Sequence, residues 1–60
     1  MHQLCSEKTA AQLLALQSRT LSRWRFMGRG PTYHKIGGAV RYQITDLEKF
    51  VAQGRVAAND

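Results

Sequence analysis

Two arginines stand four residues apart in the run SRTLSRW, and their chemistry raises the first question about this chain. Arg19 and Arg23 share helical spacing with Ser18 and Ser22, so all four side chains fall on one side of a helix. A guanidinium offers planar N–H donors that bond in pairs to a carboxylate, a phosphate or a base edge. This pattern therefore predicts a helix face that binds anions.

Catalysis needs a nucleophile beside a base, paired carboxylates or a metal site, and the sequence supplies none of these. The carboxylates Glu7, Asp46 and Glu48 stand near predicted helix starts, where a capping or dipole role accounts for them. One cysteine and two histidines do not complete the usual four-ligand zinc sets. We expect no enzyme activity, no cofactor, no metal site and no small-molecule ligand.

Two helices joined by a short turn must carry the arginine face. The first begins after Ser6 as N-cap, and the second, capped by Gln17 or Ser18, runs to Met27 and stops at Gly28. Leu21 and Trp24 should face inward. This phase turns outward a strip of five residues: Ser18, Arg19, Ser22, Arg23 and Phe26.

A β-hairpin is predicted around Gly37 and Gly38, with two alternative registers. A three-residue loop pairs Ile36 with Val40 and His34 with Tyr42, and it sets Lys35 opposite Arg41. Two like charges in that position would favour a phosphate near them. A two-residue loop instead pairs Lys35 with Val40, and the phosphate argument then fails.

A third helix completes the predicted core. Thr45 and Glu48 have the spacing of a capping box, and Gly54 suits the C-cap. The apolar positions of all these segments predict one core: Leu13, Leu14, Leu21, Trp24, Ile36, Val40, Tyr42, Leu47, Phe50 and Val51.

Composition sets the limits of the fold and of its partners. Sixty residues make one small domain, which we place at residues 4–53 with flexible ends at 1–3 and 55–60. Nine Lys and Arg against four Asp and Glu give a net charge of +5, which favours a polyanionic partner. No apolar run reaches the roughly 18 residues of a membrane span, and no secretory signal is visible. We expect a cytoplasmic protein without membrane contact, associated with the nucleoid when bound to DNA.

These elements together predict an α+β fold, namely a small winged helix-turn-helix with a two-stranded β-hairpin wing and a C-terminal helix. The second helix of such a fold enters the major groove of double-stranded DNA, where Arg bonds to guanine O6 and N7. Double-stranded DNA is therefore the expected partner.

The runs AAQLLALQSRTLSRW and GPTYHKIGGAVRYQITDLEKFV resemble the phage excisionase family, whose winged-helix fold is related to the DNA-binding domains of MerR-type regulators. The resemblance covers about residues 4 to 53. It implies a recombination directionality factor that bends attachment-site DNA, with integrase and neighbouring copies of itself as further partners. It also implies contacts for seven residues: Ser18, Arg19, Ser22 and Arg23 in the recognition helix, and Lys35, Gly38 and Arg41 in the wing.

The chain departs from the family pattern at four positions. Ala15 stands where the family commonly has Gly, Gln17 where it has Ser, and Ala39 where the wing tip often has Arg. Phe26 is unusual on the outward strip, and we favour packing under the wing over contact with a neighbouring protomer. Alternative functions are a small transcriptional regulator of a mobile element, and a protein-interaction module such as a repressor antagonist.

Overall fold

The structure is a computed structural model that describes residues 3–57. Three helices and a three-stranded antiparallel sheet are formed within that range, which confirms the α+β class. In chain order, the elements are β1 (Leu4–Ser6), α1 (Glu7–Leu13), α2 (Ser18–Phe26), β2 (His34–Ile36), β3 (Ala39–Gln43) and α3 (Ile44–Gln53). The longest helix, α3, has 10 residues, and no helix in the described range is long and apolar enough to cross a membrane.

The sheet has the order β1-β3-β2, so β3 lies in the centre. The predicted two-stranded hairpin is formed by β2 and β3, but Leu4–Ser6 adds a third strand that was not predicted, in which Cys5 pairs with Tyr42. Ile44 N–H also donates to the Gln3 carbonyl at 3.0 Å, which continues the pairing past the end of β3. The segment just before the first helix therefore belongs to the sheet.

The hairpin between β2 and β3 has a two-residue loop. Gly37 and Gly38 have φ of +56° and +92°, and positive φ at both central positions is characteristic of a type I′ turn. Lys35 therefore pairs with Val40, and the three-residue alternative is wrong. Since neighbouring residues of a strand point to opposite faces, Lys35 and Arg41 lie on opposite faces of the hairpin.

The two helices of the predicted DNA-binding unit end in the same way. The Leu16 amide bonds to the Ala11 carbonyl at 2.8 Å, and the Arg29 amide to that of Trp24 at 2.9 Å. Each pattern is a Schellman motif, which needs one residue in the left-handed region. Gly28 takes this place after α2, as predicted, with φ of +70°. Ala15 takes it after α1 with φ of +57°, and it is the single non-glycine residue of positive φ within residues 3–57.

We predict that Ala15→Gly stabilises the protein by about 1 kcal/mol, because a Cβ in the left-handed region costs roughly 1–2 kcal/mol and the added freedom of the unfolded chain offsets part of this. Urea unfolding followed by circular dichroism measures the change. Gly28→Ala is the opposite substitution at the equivalent position of α2 and should lower stability. No atom lies within 4 Å of its added Cβ, so only backbone strain is introduced. A loss of stability in Ala15→Gly would contradict the prediction.

Five side chains form the buried core: Ala10, Ala11, Leu21, Tyr42 and Leu47. The predicted core residues Leu14, Trp24 and Val40 are half-buried against them. Phe50 is also half-buried, with its ring 5.7 Å from that of Trp24.

The prediction of burial is wrong for three residues: Leu13, Ile36 and Val51 are 58%, 52% and 57% exposed. Leu13 ends a helix of only two turns that packs through the small residues Ala10 and Ala11. Ile36 adjoins the hairpin turn on the face opposite the core, since it pairs with Ala39, and Val51 lies in the last turn of α3.

The predicted capping box of α3 is also wrong. The helix begins at Ile44, directly after β3, and Gln43 is its N-cap. Thr45 is already inside the helix, and its hydroxyl lies 3.4 Å from the Gln43 amide oxygen. The Ile44 amide is used by Gln3, so sheet pairing fixes the helix start. Gly54 is the C-cap, as predicted.

Candidate nucleic-acid interface

The outer face of α2 carries the predicted arginine strip. Leu21 is fully buried beneath the helix, and Arg19 and Arg23 are exposed on its other side, together with Ser18. Phe26 belongs to the same face and is 87% exposed. The expected packing of this ring under the wing is therefore wrong.

Arg19 is hydrogen-bonded to Gln17, for which the sequence predicted only a place in the turn or at the cap of this helix. The Nε–H of Arg19 donates to the Gln17 side-chain oxygen at 2.7 Å. Gln17 is the N-cap of α2, but its side chain makes no bond to the helix amides. It occupies instead the Nε–H edge of the guanidinium, and the two terminal nitrogens have no partner within residues 3–57.

Ser22 does not belong to the outward strip. Its hydroxyl donates to Glu7 Oε1 at 2.6 Å, and the side chain is half-buried between α1 and α2. The prediction that Ser22 faces outward is wrong, because the carboxylate at the start of α1 lies against this side of α2.

Glu7 joins three elements through a single carboxylate. Besides Ser22 on α2, it accepts a hydrogen bond from Arg25 Nε at 2.7 Å and one from the Tyr42 hydroxyl of β3 at 3.1 Å. The ion pair is largely shielded from water, with about a fifth of each side chain exposed (21% for Arg25 and 19% for Glu7). The sequence predicts only a helix-start role for Glu7 and no role for Arg25. No local spacing signals a pair separated by 18 residues.

These contacts change the acid–base properties of the group. Partial burial alone would raise the pKa of Glu7, but the hydrogen bonds from Arg25, Ser22 and Tyr42 and the charge of Arg25 outweigh it and hold that pKa below its usual value. Burial, together with the Glu7 carboxylate, raises the pKa of the Tyr42 hydroxyl to about 12. The hydrogen bond to Glu7 likewise raises the pKa of Arg25.

Stability should therefore fall at both ends of the pH range. Glu7 has a lowered pKa in the folded state, so its contribution is present above its unfolded pKa of about 4.3 and is lost as the pH falls below that value. Tyr42 has a raised pKa, so its contribution is present below about pH 10 and is lost as the pH rises toward about 12. Urea unfolding across this range measures both losses. Glu7→Gln should reduce the loss of stability at low pH. An unchanged loss at low pH in that variant would contradict its attribution to Glu7.

The structure does not bring the predicted wing cations together. Lys35 and Gly38 are exposed at the end of the hairpin. Arg41 is half-buried on the other face, where it pairs with Ser6 and His34 and its Nη1 donates to the Val40 carbonyl at 2.7 Å. The predicted phosphate between Lys35 and Arg41 is therefore unsupported.

His34 pairs with Arg41 and shares its face, whereas the three-residue loop would have paired it with Tyr42. Its side chain is partly buried, and its Nε2 has no hydrogen-bond partner among the described residues.

Charge is strongly divided along the chain. Residues 18–43, which we call the basic segment, contain no Asp or Glu and hold six of the nine cationic side chains. These six are Arg19, Arg23, Arg25, Arg29, Lys35 and Arg41. Asp46 and Glu48 lie outside it on α3, and Glu7 is paired with Arg25. The arginine helix and the hairpin thus lie in a stretch of sequence that has no carboxylate of its own.

Residues 3–57 contain no group of three His, Cys, Asp or Glu side chains that could hold a metal ion. No family model matches the chain, and no curated protein matches it either.

Proposed function

We propose that this protein binds double-stranded DNA as a winged helix-turn-helix, with α2 as the recognition helix and the β2–β3 hairpin as the wing. The observation that carries this proposal is the pair Arg19 and Arg23, exposed on α2 within a basic segment that holds no acidic residue. A partner with dense negative charge is favoured by such a surface.

The recognition step follows from the spacing of the arginines. The major groove is about 12 Å wide and admits one helix. Arg19 and Arg23 lie one helical turn apart, about 6 Å along the axis, which corresponds to roughly two base-pair steps. Each guanidinium can donate two hydrogen bonds to O6 and N7 of a guanine. Gln17 would hold Arg19 in a defined direction, which reduces the entropy lost on binding.

Contacts with the phosphate backbone of the DNA would supply the remaining affinity. Ser18 and the amides of the first turn of α2 have no side-chain cap and suit a phosphate oxygen. Lys35 and the exposed tip at Gly38 suit a neighbouring phosphate. Arg41 contributes charge, but its bond to the Val40 carbonyl restricts its reach.

Within this proposal, the biological role is that of an excisionase, which binds and bends attachment-site DNA and directs integrase toward excision. The support is the resemblance of residues 4 to 53 to that family. A domain of this size makes few contacts, so useful specificity requires several copies on adjacent sites or a partner such as integrase.

The test is a salt series of gel shifts. A duplex selected by the protein from a random pool is compared with a shuffled duplex of equal length. We expect preferential binding to the selected duplex and, for about five phosphate contacts, a slope of roughly −4 to −5 in log affinity against log salt. Equal binding to both duplexes would reduce the interaction to charge alone, and a slope near zero would refute DNA binding. Addition of integrase and attachment-site DNA then tests the excision role.

A further inference from the structure

Phe26 presents an almost fully exposed aromatic ring in the last turn of α2. Its exposed fraction is 87%, and among the large apolar side chains of residues 3–57 only Val56, beyond the last helix, exceeds it at 89%. Burying such a ring contributes roughly 1.5–3 kcal/mol, which this fold leaves unused. An exposed ring inside a well-formed helix suggests contact with a partner.

The position of the ring points to the same partner as the arginines. Phe26 follows Arg19 by seven residues, which places the two side chains about 20° apart around the helix and about 10 Å apart along it. Arg23 lies between them on the same strip. Whatever surface binds the two arginines must therefore pass over or beside Phe26.

The charge around the ring argues against an ordinary apolar protein partner. Arg23 lies one turn behind the ring with no acidic partner on α2, and the guanidinium carbon of Arg25, whose charge is paired with Glu7, lies 5.9 Å from the Phe26 ring centre. A ring framed by arginines suits a polyanion that also displays apolar groups. Duplex DNA has such a group in the major groove, the 5-methyl of thymine, which side chains including Phe recognise by apolar contact.

We propose that Phe26 reads a thymine through its 5-methyl group, about three base pairs from the base bound by Arg19. This inference rests on the proposed function and adds a specificity-determining residue to it. The strip on α2 would then read two polar edges through Arg19 and Arg23 and one apolar group through Phe26.

The test replaces each thymine of the selected duplex in turn by deoxyuridine, which removes only the methyl group. We expect one position at which the wild-type protein loses about fourfold in affinity, the value of one buried methyl. Phe26→Ala should lose at least as much on the thymine duplex and become insensitive to deoxyuridine at that position. Phe26→Leu should restore part of the sensitivity.

Val51→Ala is the matched control, because Val51 is also an exposed apolar side chain (57%) in the last turn of a helix, but it lies on α3, outside the strip. It should keep the full deoxyuridine effect. Both side chains are exposed, so we expect each variant to remain folded. Circular dichroism checks this.

The outcomes separate this inference from the proposed function. If the protein selects no duplex, both are overturned. If it binds a selected duplex but tolerates every deoxyuridine, or if Phe26→Ala keeps the methyl sensitivity, DNA binding stands and the role of Phe26 is overturned. If Phe26→Ala keeps its DNA affinity but changes the sedimentation of the protein, the ring serves a protein contact and the proposal is likewise overturned.

Discussion

Replacing Arg19 and Arg23 together by Ala is expected to weaken binding to the selected duplex by about 2–6 kcal/mol, or roughly 30-fold to 20,000-fold, since each good bidentate pair contributes about 1–3 kcal/mol of discrimination. The fold should be unaffected, because both side chains are exposed and neither contacts the core. Titration by fluorescence anisotropy at fixed salt measures the loss, and urea unfolding confirms unchanged stability.

A charge-matched control separates recognition from simple attraction. Lys49→Ala with Arg55→Ala removes the same two positive charges from exposed positions outside the basic segment. We expect this control to reduce affinity for selected and shuffled duplexes by a similar and much smaller factor. Equal losses in the two double variants would mean that α2 has no special part in binding and would point to a protein partner.

Glu7→Ala is expected to destabilise the protein by about 2–4 kcal/mol, because it leaves Arg25, Ser22 and Tyr42 without their shared acceptor in a partly buried site. A domain of this length has a total stability of roughly 3–9 kcal/mol. The variant should therefore lose a large share of its stability. Urea unfolding at neutral pH, followed by circular dichroism, measures the change.

Glu48→Ala provides the comparison, since it removes an equal charge from an exposed site on α3 and should change stability by no more than about 0.5 kcal/mol. Glu7→Gln keeps the shape and one acceptor, so its cost should lie between the two. A Glu7→Ala variant as stable as Glu48→Ala would show that the carboxylate does not hold α1, α2 and β3 together.

Local signals predicted much of the fold. Ser6 caps α1 by accepting a hydrogen bond from the Thr9 amide, Gly28 ends α2, and the outward positions of Arg19 and Arg23 followed from the inward phase of Leu21. Each of these features depends on residues within one or two helical turns, and the side-chain types alone are enough to identify it.

The remaining features depend on partners that are distant in sequence. The fate of Ser22 is decided by Glu7, which lies 15 residues earlier, and a three-residue strand such as β1 has too little alternation to be recognised. Leu13 has the correct helical spacing for burial, but it is the last residue of α1 and lines an open groove beside Leu47 and Val51 of α3, where it stays exposed. The register of the hairpin was open until the loop length was known, and this alone decided the surroundings of Lys35.

The edge strand β1 has a consequence for the order of folding. Its pairs with β3 join residues 35 to 39 positions apart, whereas the pairs of β2 with β3 join residues three to seven positions apart. Closing the longer loop costs more chain entropy, so we expect the hairpin to form first and β1 to dock late. Mutations in β1 should then have kinetic φ-values near zero, because its contacts are absent from the folding transition state. Glu7 follows β1 without an intervening residue, and its carboxylate therefore reaches Tyr42 only when β1 docks. The final step of folding would then be the one that locks α2 against the sheet.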